Sequence, residues 1–367
     1  MDGNPLRRLK ALGQSVWLDY IQRGMLQNGD FSRLVDQDGV CGVTSNPAIL
    51  EKAIAHHNDY DDAIVQYAAS GRSTVDVYEA LALADVRQAA DLLRPVYEQT
   101  HGADGYVSLE VSPHLAYNTD ATVEEGLRLW QAFDRPNAMI KVPSTREGLA
   151  AVRQLTAAGV NINATLLFSG ERYLEVAEAF IAGLEARVAA GERIDNITAV
   201  ASFFMSRIDT MVDKALDAAG DTPQARQLRG KTAIACAKLA YQDFKTIYAG
   251  PRWEALAARG GRAQRLLWAS TGTKDPGYSD ILYVDELIGP ATVNTLPVAT
   301  LDAYRDHGRP ALRLEEGVAQ AQAHMAELAN CDIDMAAVSD ALEIDGVQKF
   351  IDPFEQLLAT LDKRIKG

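Results

Sequence analysis

Between residue 15 and about residue 310, short runs of strand character alternate with longer runs of helical character, and no Pro-, Gly- or Ser-rich linker breaks the series. That alternation is what a parallel sheet demands, because parallel neighbours cannot be joined by a hairpin and need a crossover, usually a helix. The strand-like runs are 15–19, 40–44, 106–111, 138–142, 161–166, 197–203, 265–270 and 292–296. Eight is the number that closes into a barrel, so the chain is expected to form an α/β (β/α)8 TIM barrel. Helical stretches at 48–66 and 311–367 fall outside the eight-unit count. The expected organisation is a barrel catalytic domain over 1–310 and a C-terminal helical extension over 311–367 packed on it.

Helix punctuation supports the alternation. Thr122-x-x-Glu125 and Ser144-x-x-Glu147 each read as a capping box, in which side chains satisfy the free N–H groups of a helix start. Gly159 and Gly191 stand where helices should stop, since glycine adopts the left-handed terminal conformation without strain.

Period-two alternation separates the strand face turned to the barrel axis from the face turned to the helices. Val16 and Leu18 alternate with Ser15, Trp17 and Asp19. Leu109 and Val111 alternate with Ser108 and Glu110, Ile140 and Val142 with Met139 and Lys141, and Ile162, Ala164 and Leu166 with Asn161, Asn163 and Thr165. Thr44 and Asn46 after the second run, Ser202, Ser270 and Asn294 continue the pattern. Unpartnered, such groups would cost about 1–3 kcal/mol each, so they are expected to face a polar ligand at the C-terminal mouth, where barrel enzymes carry their sites.

Composition narrows the ligand. Lys and Arg number 36 against 50 Asp and Glu, a net charge of −14 with no basic block, which argues against nucleic-acid or anionic-membrane partners. No apolar run is long enough to span a bilayer and the first residues lack a secretory signal, so a cytoplasmic location is expected. Cys41, Cys236 and Cys331 are too far apart for a redox or metal motif and are read as reduced thiols. A homo-oligomer is left open.

Lys141 stands on the inward face of the apolar run AMIKVP. Burial there favours a neutral amine suited to Schiff-base formation, whereas an ion pair with Asp19 or Glu110, or a lysine reaching to the barrel mouth, are structural alternatives. Asp19 and Glu110, on separate strands, are carboxylates able to serve the proton transfers such chemistry needs, or to act only as ion-pair or capping groups.

The segments WLDYIQRG, VTSNPAIL, SLEVSP, MIKVPST, NINATLLFS and ASFFMSRID, in that order along nearly the whole chain, resemble the transaldolase family. WASTGTK at the seventh strand and the long C-terminal helices resemble one of its subgroups. The resemblance implies a class I enzyme of the pentose phosphate pathway without metal or organic cofactor. It would move a dihydroxyacetone unit from sedoheptulose 7-phosphate to glyceraldehyde 3-phosphate, giving erythrose 4-phosphate and fructose 6-phosphate. It further implies Lys141 as the Schiff-base lysine, Glu110 as an acid/base working through a water held by Thr165, and Asp19 as the base for C–C cleavage. Thr44, Asn46, Asn163 and Ser202 would hold the dihydroxyacetone hydroxyls, and Arg207 with Ser270 the phosphate. Many members carry a second arginine where this chain has Gly272, and Lys274 is the nearby cation that would replace it.

Other readings find less support. Gly230-Lys231-Thr232 lacks the upstream glycine of a phosphate loop, position 225 being Ala225, and His56-His57 cannot share one helix face as metal ligands. Fructose 6-phosphate aldolase, a lyase on the same scaffold, carries Tyr where this chain has Phe204. A non-catalytic sugar-phosphate binder would have no reason to keep Lys141, Asp19 and Glu110 together.

Overall fold

The structure, a computed structural model, describes residues 3–220 and 222–366. Eight parallel strands close into a barrel in sequence order: β1 Gln14–Leu18, β2 Val40–Val43, β3 Tyr106–Glu110, β4 Ala138–Pro143, β5 Ile162–Leu167, β6 Ala199–Phe204, β7 Arg265–Ala269 and β8 Thr292–Leu296. Helices lie between them, as the alternation predicts. All eight expected strands are present, with no end displaced by more than two residues.

Trp17 occupies the barrel axis, fully buried, and its indole N–H donates to Asp104 Oδ1 at 2.7 Å. Ser15 also donates to Asp104 and accepts from Arg265 Nη1 at 2.7 Å, so a polar cluster plugs the barrel end opposite the mouth. The indole fits only because residue 42 of β2 lacks a side chain: a Cβ there would lie 2.4 Å from the ring.

Closure of the barrel corrects one reading. β8 pairs with β1 so that Trp17 lies beside Thr295 and Val16 beside Asn294. Paired residues in a ladder share a face, so Thr295 points inward with Trp17 and Asn294 points toward the helices. TVNTL carries polar residues on both parities, and only the neighbouring strand decides between them.

The two expected helix caps are also displaced. The helix Thr119–Phe133 starts four residues earlier, with Asn118 accepting from the Ala121 N–H at 3.1 Å. Thr122 therefore lies inside it, and Glu125 accepts from the Ser112 N–H at 2.7 Å instead. Ser144 N donates to Thr165 O at 2.7 Å and so still belongs to the ladder. Thr145, the next residue, caps the helix Arg146–Ala157 by accepting from Gly148 N at 3.0 Å. Gly159 and Gly191 do take the left-handed conformation, with φ of 93° and 81°. Gly230, φ 67°, joins the helices Pro223–Leu228 and Thr232–Ile247 and donates to Asp213, as a helix boundary rather than a phosphate loop.

After β8 and its helix Val298–His307, two further helices follow. Val318–Asn330 packs on Thr232–Ile247, where His324 and the Thr232 hydroxyl are 2.9 Å apart. Met335–Lys366 packs against Pro47–His56, Thr74–Gln99 and Met205–Ala219 and reaches the end of β5 at the mouth.

Gly42→Ala drives a methyl into the Trp17 ring and is expected to cost about 1–3 kcal/mol, the range for overpacking a filled core. Urea unfolding should show a lowered midpoint with an unchanged slope.

Candidate active site

Each strand ends with its inward residue near one small cavity. About 80 Å³ in volume, it is lined by Asp19, Thr44, Asn46, Lys141, Ser202, Phe204, Arg207, Ala269, Ser270, Thr295 and Phe350. Eight of the twelve residues expected from sequence are among these. Glu110, Asn163 and Thr165 stand behind them, and Lys274 stands apart.

Lys141 is brought to the centre by β4, whose register sets it beside Glu110 on β3 and Asn163 on β5. Its Nζ lies 3.3 Å from Glu110 Oε2 and donates to Ser45 O at 3.2 Å, and both side chains of the pair are almost wholly buried. Burial pushes the Glu110 carboxyl up to about 7, with Lys141 pulling the other way. An amine beside a carboxyl that exchanges its proton near neutrality is the combination that carbonyl condensation requires.

Asp19, just past β1, accepts from Thr44 Oγ1 at 2.6 Å. Thr44 has one proton, so the Thr295 hydroxyl 2.7 Å away must be the donor to Thr44. Burial raises the Asp19 carboxyl above its ordinary value, opposed first by the Thr44 bond and then by Lys141. Asn163 is fixed from both sides, accepting from Ser202 Oγ at 2.7 Å and donating to Ser108 Oγ at 3.0 Å. Thr165 Oγ1 is buried without a hydrogen-bond partner among the described residues. Asn46, which also lines the cavity, caps the helix Pro47–His56 through Oδ1, accepting from Ile49 N at 3.0 Å.

Arg207 stands in the first turn of the helix Met205–Ala219, which leaves β6 directly. Its guanidinium carbon lies 5.2 Å from the Phe204 ring and 5.7 Å from the Phe350 ring, and Nη1 is buried without a hydrogen-bond partner among the described residues. Burial lowers its pKa, against the pull of Asp345, Glu110 and Asp19. Ser270 takes a left-handed conformation, φ 55°, which sets its hydroxyl 2.8 Å from that of Ser206. Lys274 is exposed and opens onto a neighbouring cavity walled by Ser206, Asp213 and Tyr278, while its charge still acts on Asp19.

Ala269, Thr295 and Phe350 are the cavity residues that the sequence reading missed. Thr295 needed the β1–β8 register. Phe350 lies far along the C-terminal helix, where a phenylalanine in an amphipathic pattern carries no mark of its destination.

The family described as Transaldolase/Fructose-6-phosphate aldolase matches residues 16–361. This chain belongs to it. The chain is 49% identical to "Transaldolase 2" of Nostoc sp. (strain PCC 7120), with 99% of this chain and 98% of that protein covered. It is 48% identical to "Transaldolase" of Thermobifida fusca, with 97% of each covered. Against "Transaldolase" of Thiobacillus denitrificans it is 47% identical, with 98% and 99% covered.

Because the protonated Glu110 is the form able to donate, imine formation is expected to slow as pH rises through about 7. Rapid-mixing measurement of adduct formation across pH should show that limb in the native protein, and Glu110→Gln should lower the rate and flatten the limb.

Proposed function

We propose that the chain is a transaldolase acting on phosphorylated sugars through an imine on Lys141. The observation that carries this reading is the buried Lys141 and Glu110 pair, 3.3 Å apart, with Asp19 lining the same cavity from another strand. The amine adds to the ketose carbonyl, and Glu110 donates the proton that lets the carbinolamine oxygen leave as water. A water held by Thr165 would relay it. Asp19 then accepts the hydroxyl proton as the C–C bond breaks, and the aldehyde product departs. A three-carbon carbanion stays on Lys141, delocalised into the imine, until an acceptor aldehyde arrives.

Thr44, Asn46, Asn163 and Ser202 are assigned to the hydroxyls of that fragment. Arg207 and Ser270 are assigned to the phosphate, a planar fork backed by a neutral donor, with Lys274 as a second cation at the rim. The transferase reading is favoured over the lyase by Phe204, which gives the cavity an apolar wall beside Arg207. No helix among the described residues is long and apolar enough to cross a membrane, and a cytoplasmic setting goes with the unpaired thiols of Cys41, Cys236 and Cys331.

Lys141→Arg keeps a positive charge and denies the neutral nucleophile. Borohydride reduction in the presence of fructose 6-phosphate should give a mass-shifted chain for the native protein and none for the variant. Turnover by that variant would remove Lys141 from the mechanism.

Arg207→Ala is expected to cost about 1.5–3 kcal/mol of transition-state stabilisation, roughly ten- to over a hundredfold in kcat/KM for phosphorylated substrates. Unphosphorylated dihydroxyacetone should be affected far less. Lys274→Ala should give a smaller loss of the same kind, and an unchanged kcat/KM for glyceraldehyde 3-phosphate would leave the phosphate to Arg207 and Ser270 alone.

A further inference from the structure

The wall of the mouth cavity farthest from the strands comes from the C-terminal helix Met335–Lys366. Phe350 is 2% exposed, and its ring centroid stands 5.4 Å from Lys141 Nζ and 5.7 Å from the Arg207 guanidinium carbon. One turn earlier on the helix stands Gly346. A Cβ there would lie 3.1 Å from Leu166 Cδ2, 3.4 Å from Phe168 Cζ and 3.5 Å from Arg207 Nη1. A bare backbone at 346 thus seats the helix low enough for the residue four positions on to face the lysine.

Seated in this way, the helix leaves about 80 Å³. At ~10–15 Å³ of such space per water, that accommodates about five to eight water-sized groups. This suits a three-carbon fragment on Lys141 and is too small for a whole six- or seven-carbon sugar phosphate. The closed geometry matches the covalent intermediate rather than either substrate.

We propose that Phe350 is a specificity-determining residue that closes the site over the three-carbon intermediate and sets the partition between transfer to an aldehyde and release of free dihydroxyacetone. This inference rests on the transaldolase reading. Release begins when the carbanion carbon takes a proton from admitted solvent. Water then adds to the imine carbon, the C–N bond breaks, its electron pair returns to the Lys141 nitrogen, and the ketone carbonyl forms. Transfer spends the same carbanion electron pair on a C–C bond to the aldehyde carbon, whose oxygen takes a proton. A phenyl ring over the intermediate keeps out the proton source for the first course, and must swing or lift with its helix to admit the aldehyde for the second.

The test compares dihydroxyacetone released from fructose 6-phosphate alone with transfer from fructose 6-phosphate to erythrose 4-phosphate. Phe350→Ala is expected to raise the release-to-transfer ratio by about tenfold or more, equivalent to ~1.4 kcal/mol of differential barrier. Phe350→Leu should restore most of the native ratio. Gly346→Ala, which sets a methyl against Leu166 and Phe168 rather than against the ring, should shift the ratio the same way by less, and it carries the test if Phe350→Ala does not fold. Borohydride trapping is run in parallel. A trapped adduct with an unchanged ratio overturns the role of Phe350 alone, whereas no adduct in the unsubstituted protein overturns the transaldolase reading and this inference with it.

Discussion

Closing eight parallel strands into a barrel leaves inward side chains no bulk water except at the two ends, so a charge on that face needs its counter-charge on an adjacent strand. Lys141 and Glu110 meet this demand through the ladder itself, as direct neighbours in the β3–β4 register with their charged atoms 3.3 Å apart. Such a pair is poor evidence for stability, since the cost of removing both ions from water commonly equals or exceeds their attraction, and apolar residues of similar volume would hold the strands as well. Its presence in an otherwise apolar strand accords with the catalytic role proposed for it. Burial that would be a liability in a structural ion pair is what moves Glu110 into the range where it can give and take a proton near neutrality.

The rest of the mouth is organised so that this pair stays in place. Ser45 supplies the second acceptor for Lys141 through its carbonyl, and its hydroxyl is tied to Ser108 O at 2.7 Å. Ser108 in turn receives Asn163, and Asn163 receives Ser202, which links β3, β5 and β6 behind the lysine. Thr295, Thr44 and Asp19 form a second chain on the opposite side, linking β8, β2 and β1. The polar groups of these two chains are oriented by neighbouring strands rather than by their own flexibility, which is how a site on rigid elements holds its geometry before the substrate arrives.

This organisation also explains what could be read in advance. Period-two alternation exposes a lysine or glutamate on an apolar strand without any knowledge of the partner strand, and so Lys141, Glu110, Asp19 and Asn163 were visible from the sequence. Thr295 was not, because β8 presents polar residues on both faces and its orientation is decided by pairing with β1. Ser144 failed as a cap for a related reason: its N–H is still engaged with Thr165 O, so the helix can begin only after it. Phe350 depended on packing alone. Its helix is amphipathic whichever surface it covers, and its seat over the mouth follows from Gly346 meeting Leu166, Phe168 and Arg207, contacts separated by well over a hundred residues.

Two residues at the mouth adopt backbone conformations that cost energy. Leu166 and Ser270 have φ of 63° and 55°, a region L-residues avoid at a cost of about 1–3 kcal/mol each. Leu166 falls where β5 slips register against β6, just after Thr165, and Ser270 ends β7. Neither is relieved locally. Ser270 is held by Ser206, whose N–H donates to its carbonyl at 3.1 Å while the two hydroxyls meet at 2.8 Å. Leu166 is covered by the C-terminal helix at Gly346. The helix that closes the cavity therefore packs on the strained end of β5, and the serine assigned to phosphate is bonded to the first turn of the helix bearing Arg207. Strain, closure and anion recognition share the same few residues, whereas Trp17, Asp104 and Arg265 fill the far end of the barrel with bonded and packed groups. That division lets the mouth carry polar, strained and buried charged groups on a scaffold whose stability is drawn from elsewhere.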